Sequence, residues 1–411
     1  MRCVGAALSA RLDKLAFLVL FTLVFASRTL VISQVIESTF ATIAVQLLYV
    51  GVMAVLWLAD FCKGSYRPSL FSAVVALLCL HVVLFCYVLK NPAMPASLGI
   101  GQTMGLFLLV VLLTGWFVRS RSCAREFASL CFYTLGAILL LQMLTHTADV
   151  NLAGLGSLFS ADERTRTVFG FGHPNTLGGM CVTLWMMWAC KAVLTDGQPG
   201  IASKMLDYVF LTISVVMLLC SASRSSLIGL VLFLSLWATS RLSLGGKYAK
   251  LASRASAAVL VLAAAYILAS IFGSMSTDAL VGQSNRLTLF DHALPALFES
   301  GRFFIGLGYV SNSAYGEGLT PYNTLWLDNS YVYYLVATGL SGFLIIILAL
   351  IALFEGALRA TRADGMHGFV VASMAAYLFI GFFEVVVLTG NPMNYFLMPI
   401  LLSLIGNSHA S

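Results

Sequence analysis

The chain has 411 residues, of which 60% are hydrophobic and 10% charged, with a formal net charge of +6 and a mean hydropathy of +0.94. A soluble domain carries roughly 25% charged residues. This composition, with repeated apolar runs of about 20 residues, excludes an ordinary soluble enzyme and defines an all-α, polytopic membrane protein. Alternating strands of the membrane β-barrel kind are not seen, and the positive balance is explained by Lys and Arg on cytoplasmic loops rather than by nucleic acid.

Apolar length predicts about twelve spans. Arg2, Arg11 and Lys14 precede an apolar run from Leu15 to Ala26 that could mimic a signal peptide. Apolarity resumes past Arg28, which favours an uncleaved first span over Leu12–Ile32. The spans continue as Ile43–Phe61, Leu70–Leu89, Gln102–Val118, Phe127–Leu144, Pro174–Leu194, Leu206–Cys220, Ser226–Ala238 and Ala255–Phe272. Ser330–Phe354, Gly368–Leu388 and Met393–Ile405 complete the series, the seventh and eighth spans being short. With both termini in the cytoplasm, 16 of the 23 Lys and Arg fall on inner segments. The outer seven are Arg28, Lys90, Arg164, Arg166, Arg224, Arg286 and Arg302. That bias sets the orientation by the positive-inside rule. There is no internal repeat, so residues 1–411 read as one integral membrane domain, with a large outer loop over 273–329. The nine cysteines show neither CxxC nor metal-ligand spacing, and most sit in apolar runs where Cys is a small hydrophobe.

Three outer stretches hold the polar chemistry. Gly172-His173-Pro174-Asn175 opens the sixth span: Pro suits the first helical turn, and free N–H groups there, aided by the helix dipole, favour an anion. His173 is equally read as a plain helix-start residue. Ser221 to Ser226 enclose Arg224 between two apolar runs. An unpaired guanidinium near a bilayer costs at least about 2.5–3.5 kcal/mol, so Arg224 either snorkels to headgroups or serves as a fixed cation for phosphate. The loop 273–329 carries Arg286, a side chain suited to bidentate phosphate contacts. It also carries Gly306 and Gly308, which permit unusual backbone angles or close approach. Asp328-Asn329-Ser330-Tyr331 then starts a helix. N-capping explains those residue types; a carboxylate there, Asp328 or alternatively Glu317, also suits a general base on a sugar hydroxyl. The tyrosines of this region, Tyr331 among them, fit an interfacial belt or sugar stacking. Glu384 falls mid-span in the eleventh segment, where a carboxylate is a functional candidate.

Taken in order, these motifs resemble the superfamily of O-antigen ligases and Wzy-type O-antigen and exopolysaccharide polymerases. The match is Gly-x-x-His-Pro-Asn-x-Leu-Gly from Gly170 to Gly178, then Ser-x-Ser-Arg-Ser from Ser221 to Ser225. An outer-loop Arg at 286 precedes Gly306-x-Gly308, and Asp328-Asn329-x-Tyr331 is trailed by Gly339-x-x-Gly342. The resemblance implies a C-type glycosyltransferase of the bacterial inner membrane, with a periplasmic active site acting on undecaprenyl-diphosphate-linked glycans. It maps the phosphate-binding arginines onto Arg224 and Arg286, and implies a chain-length regulator and a flippase as partners. The ligases carry His-Asn where this chain has Asp328-Asn329, which points to a polymerase. The expectation is an inverting, metal-independent polymerase without a cofactor, with diphosphate held by Arg224, Arg286, His173 and Asn175. Asn329, Tyr331, Gly306 and Gly308 would shape the sugar site or its loop. Rival readings are a ligase with the lipid A core as acceptor, a lipid-linked sugar flippase or transporter, and a structural partner without chemistry.

Overall fold

The apolar runs fold into helices in the computed structural model, which describes residues 2–35, 39–63, 77–78, 80–84, 97–120, 122–151, 166–195, 200–242, 294–308, 329–362 and 365–405. The long helices are α1 (Arg2–Ile32), α2 (Thr39–Cys62), α3 (Ser97–Ser120), α4 (Ala124–Thr145) and α5 (Pro174–Leu194). They continue as α6 (Ile201–Ser221), α7 (Arg224–Leu242), α8 (Ser330–Ala360), α9 (Met366–Gly381) and α10 (Pro392–Ile405). Seven of them, α1 to α6 and α8, are long and apolar enough to cross a membrane. The protein is thus a multi-pass helical membrane protein. Of the remaining expected spans, Leu70–Leu89 is described only at 77–78 and 80–84, and Ala255–Phe272 lies outside the described residues.

A helix that is apolar all round belongs inside a bundle. α10 is such a helix, with Leu404 the sole residue not fully buried, and it packs against α1, α3, α4, α5 and α8. Beside it, Phe17 stacks on Phe117 at 4.4 Å and Phe21 meets Phe127 edge-on at 4.9 Å, tying α1 to α3 and α4. Without a hydrophobic drive between helices in lipid, close approach relies on small residues. Gly136 of α4 lies under the Phe210 ring of α6, and Gly229 of α7 under Ile380 of α9.

The helices depart from the sequence expectation in three places. α6 and α7 are not short: they have 21 and 19 residues, because Ser203 and Lys204 are taken into the first turn of α6, and Arg224 at the start and Thr239, Ser240 and Arg241 at the end are taken into α7. The eleventh segment does not run to Leu388. α9 stops at Gly381, leaving 382–391 irregular and Glu384 outside any helix. Irregular backbone at this depth requires protein partners, and side chains supply them. Ser330 Oγ accepts from the amides of Val386 (3.0 Å) and Val387 (3.1 Å) and donates to the Glu384 carbonyl (2.7 Å). The Tyr377 hydroxyl accepts from the Leu388 amide, and the Tyr334 hydroxyl donates to the Val387 carbonyl, both at 2.8 Å. Third, α8 is two helices. Gly339 breaks it with φ 65° and ψ −175°, and the segment 302–308 enters the break. There the amides of Leu307 and Gly308 donate to the Val336 and Ala337 carbonyls at 2.8 Å, while the Leu340 amide donates to the Phe303 carbonyl at 2.9 Å.

Candidate functional site

One end of the bundle gathers the C-termini of α1, α4, α6 and α9 with the N-termini of α5, α7, α8 and α10. The approach to α5 is a tight turn, with Phe169 and Gly170 both at positive φ. His173 is extended and caps the helix, its Nδ1 accepting from the Asn175 amide at 3.3 Å, and Pro174 occupies the first turn. The amide of Thr167 donates to the Cys220 carbonyl at 3.0 Å, anchoring this approach on the end of α6.

The serine turn lies directly against α5. α6 ends with Ala222 in the left-handed region (φ 47°, ψ 34°), and Arg224 begins α7. Ser223 Oγ donates to Ser226 Oγ at 3.0 Å, and a Cβ on Gly178 would fall 2.9 Å from the Ser223 Cβ and 2.7 Å from the Ser226 Cβ. Only a glycine at 178 lets the second turn of α5 sit on the serines. Arg224 is half-buried in the first turn of α7. Arginine stays a cation in proteins, so this end of the bundle carries a fixed positive charge.

The start of α8 reaches the same region through the 382–391 segment. Asn329 caps α8, its Oδ1 accepting from the amides of Tyr331 (2.9 Å) and Val332 (3.0 Å), while its Nδ2 donates to the Phe382 carbonyl (2.9 Å). The Tyr331 ring lies 4.5 Å from that of Phe382, and its hydroxyl donates to the Leu378 carbonyl at 3.0 Å. Between α5 and 382–391 lies a cavity of about 120 Å³, with Asn175, Thr176 and Thr183 on one wall and Glu384 and Asn391 on the other. Arg28 closes the arrangement, its Nε donating to the Gly390 carbonyl at 2.8 Å.

His173, Asn175, Arg224, Asn329 and Tyr331 therefore share one end of the bundle. Gly306 and Gly308 belong to the α8 break, where a Cβ on Gly306 would run into the Ala337 carbonyl and the Gly339 amide; the Arg302 Nε steadies their turn by donating to the Gly306 carbonyl at 2.7 Å. Arg286, Glu317 and Asp328 lie outside the described residues. Sequence reasoning passed over Gln142, buried on α4 beside Gly170, whose side-chain amide has no hydrogen-bond partner among the described residues. Its only sequence signal is a polar residue one turn before His146. Among the described residues, no three His, Cys, Asp or Glu side chains are grouped to hold a metal ion.

Ser330 is the residue that sews α8 to the cavity wall. Ser330→Ala leaves two buried amides without an acceptor, and each such loss costs about 1–3 kcal/mol. A lowered unfolding midpoint in detergent is expected, whereas Ser129→Ala, whose hydroxyl bonds only within its own helix, should stay within about 0.5 kcal/mol of the parent.

The fold and this end of the bundle define a polytopic helical membrane protein with a small cavity, lined in part by Asn175, Glu384 and Asn391, at a junction of helix ends. Comparison with models of known families and with curated proteins finds no match for the chain.

Proposed function

We propose that the protein is a polysaccharide polymerase of the Wzy type, joining undecaprenyl-diphosphate-linked oligosaccharide repeats at the outer face of a bacterial inner membrane. The observation that carries this reading is the packing of the Gly170–Gly178 segment on the Ser221–Ser226 turn. Motifs about 50 residues apart in sequence thereby meet beside a cavity that Asn175, Glu384 and Asn391 help to line, at the end that also holds the capped start of α8. The orientation draws support from charge. Lys14, Arg125, Lys191, Lys204, Arg241 and Arg359 lie toward the opposite ends of their helices, as cytoplasmic positive charge requires.

In this scheme Arg224 and Arg286 grip the donor diphosphate, with His173 and Asn175 adding side-chain donors and the positive dipole end of α5 toward the same anion. A carboxylate, Asp328 or alternatively Glu317, takes the proton of the acceptor hydroxyl. The acceptor oxygen bonds to the anomeric carbon as the bond from that carbon to the phosphate oxygen breaks. Configuration inverts, and undecaprenyl diphosphate leaves with the electron pair, its charge stabilised by the guanidinium groups. The cationic clamp supplies the charge that a metal ion would otherwise bring. Asn329 and Tyr331 position the acceptor side through the α8 start, and Gly306 and Gly308 set the geometry of the loop between them.

The test is reconstitution in liposomes with a synthetic undecaprenyl-diphosphate oligosaccharide. A ladder of lengthening products is expected on a gel, and Arg224→Ala should slow its formation by about 10²–10³-fold, the usual consequence of removing one preorganised charge-stabilising donor. Transfer of the glycan to lipid A core alone would replace polymerase by ligase. Movement of the lipid-linked sugar across the vesicle without any new glycosidic bond would overturn the enzymatic reading.

A further inference from the structure

At the end of the bundle opposite the candidate site lies a second cavity, of about 630 Å³, well within the range of about 300–1,000 Å³ usual for small-molecule sites. We propose that this cavity holds the headgroup of an anionic phospholipid, its phosphate seated between Arg125 and Lys204 and a chain leaving along α1 and α6.

Charge accounting carries the argument. Five charged side chains line the cavity: Arg125, Glu126, Lys191, Lys204 and Asp207. Lys191 is neutralised by Asp207, its Nζ donating to the two carboxylate oxygens at 2.6 and 2.8 Å. Glu126 is neutralised by Lys14 at 2.8 Å. Arg125 and Lys204 remain, in no ion pair among the described residues. Two cations at one cavity call for a net negative guest: a phospholipid of net charge −1 leaves one of them uncompensated, whereas a zwitterion leaves both.

The helix ends act in the same sense. Arg125 sits in the first turn of α4 and Lys204 in the first turn of α6, and neither helix has a side-chain N-cap hydrogen bond. Their positive dipole ends add to the potential at the mouth. The ends of membrane-crossing helices lie at headgroup level, and the lining aromatics Trp188 and Tyr208 suit that depth. The cavity also opens toward lipid. Leu18 of α1 and Tyr208 of α6 line it, and their neighbours Leu15, Val19, Met205 and Val209 are exposed apolar residues. A soluble anion would gain nothing from these; an acyl chain would.

The test compares purified full-length protein with Arg125→Gln/Lys204→Gln, two positions exposed or half-exposed and free to change without disturbing the core. After delipidation, phosphatidylglycerol, phosphatidylcholine or inorganic phosphate is added, and retention is read by native mass spectrometry alongside the melting temperature. Wild type should retain phosphatidylglycerol in preference to phosphatidylcholine and melt at a higher temperature with it. The double variant should retain it about tenfold to thirtyfold less, from the usual contribution of a Lys or Arg at an anionic lipid surface. Equal retention of the two lipids, or unchanged retention by the variant, would overturn the proposal. Protection by inorganic phosphate equal to that by phosphatidylglycerol would also overturn it, in favour of a soluble anion. None of these outcomes depends on whether the protein forms glycosidic bonds.

Discussion

Alanine at Gly339 is expected to unseat the 302–308 segment from α8 and to cost about 4 kcal/mol, from backbone strain and overpacking together. The torsions of Gly339, φ 65° with ψ −175°, fall in a region that is nearly glycine's alone. A Cβ there would also stand 2.5 Å from the amide nitrogens of Ile305 and Gly306, which are backbone atoms with nowhere to move. Gly306→Ala should cost a similar amount, because its Cβ would strike the other half of the same junction. The two substitutions together should cost little more than either alone, since one undocking removes one set of hydrogen bonds. Gly301→Ala is the control. Its φ is also positive, at 66°, but nothing lies within 4 Å of its Cβ, so about 1 kcal/mol is expected from the torsion alone. Unfolding midpoints in detergent for the four variants check the pattern; a Gly339→Ala protein as stable as Gly301→Ala would show that the dock contributes nothing.

The consequence for the proposed polymerase is geometric. Gly308 is fixed to the Ala337 carbonyl and Asn329 caps the same helix eight residues earlier, so the two anchors lie about 12 Å apart along α8. Residues 308 and 329, which flank the sequence carrying Glu317 and Asp328, are thus both fixed on one helix. The backbone junction itself accounts for the glycines at 306 and 339, with no ligand contact required of them.

What the sequence made legible was local. Pro174 and Ser330 start their helices where cap chemistry puts them, because an N-cap is decided by three or four consecutive residues. Most of the described apolar runs are helices for a similarly local reason. The break at Gly339 was not legible. Gly339 and Gly342 stand in the sequence only as part of a motif inside an expected span, and only the arrival of a segment some 35 residues upstream turns one of them into a hinge. The end of α9 was hidden by hydropathy. Phe382, Phe383 and Val385 to Leu388 are as apolar as a helix interior, and their irregular backbone depends on Ser330 and Tyr334 of α8, Tyr377 of α9 itself and Asn394 of α10. The convergence at the candidate site was legible only as an order of motifs. That Gly178 touches the serine turn is a fact of tertiary packing, for which the sequence offered a small residue and no address.

The pairing of Lys191 with Asp207 was hidden for the same reason, and it sets the other large effect. Lys191 counts in the sequence as one more inner positive charge, yet it is buried, and its Nζ joins three helices. It bonds Asp207 of α6 at 2.6 Å and the Tyr133 hydroxyl of α4 at 2.7 Å, and lies 4.3 Å above the Tyr133 ring. Lys191→Met should lower stability by about 3–5 kcal/mol, because it leaves a carboxylate buried without its partner. Asp207→Leu should do the same by stranding the ammonium, softened by the tyrosine contact. The double variant Lys191→Met/Asp207→Leu should come back to within about 1 kcal/mol of the parent, since well-packed apolar replacements avoid the desolvation of two charges altogether. A thermodynamic cycle in detergent decides the matter: if the double variant is as unstable as the sum of the singles, the two charges are not acting on each other and the α4–α5–α6 junction is held by packing alone.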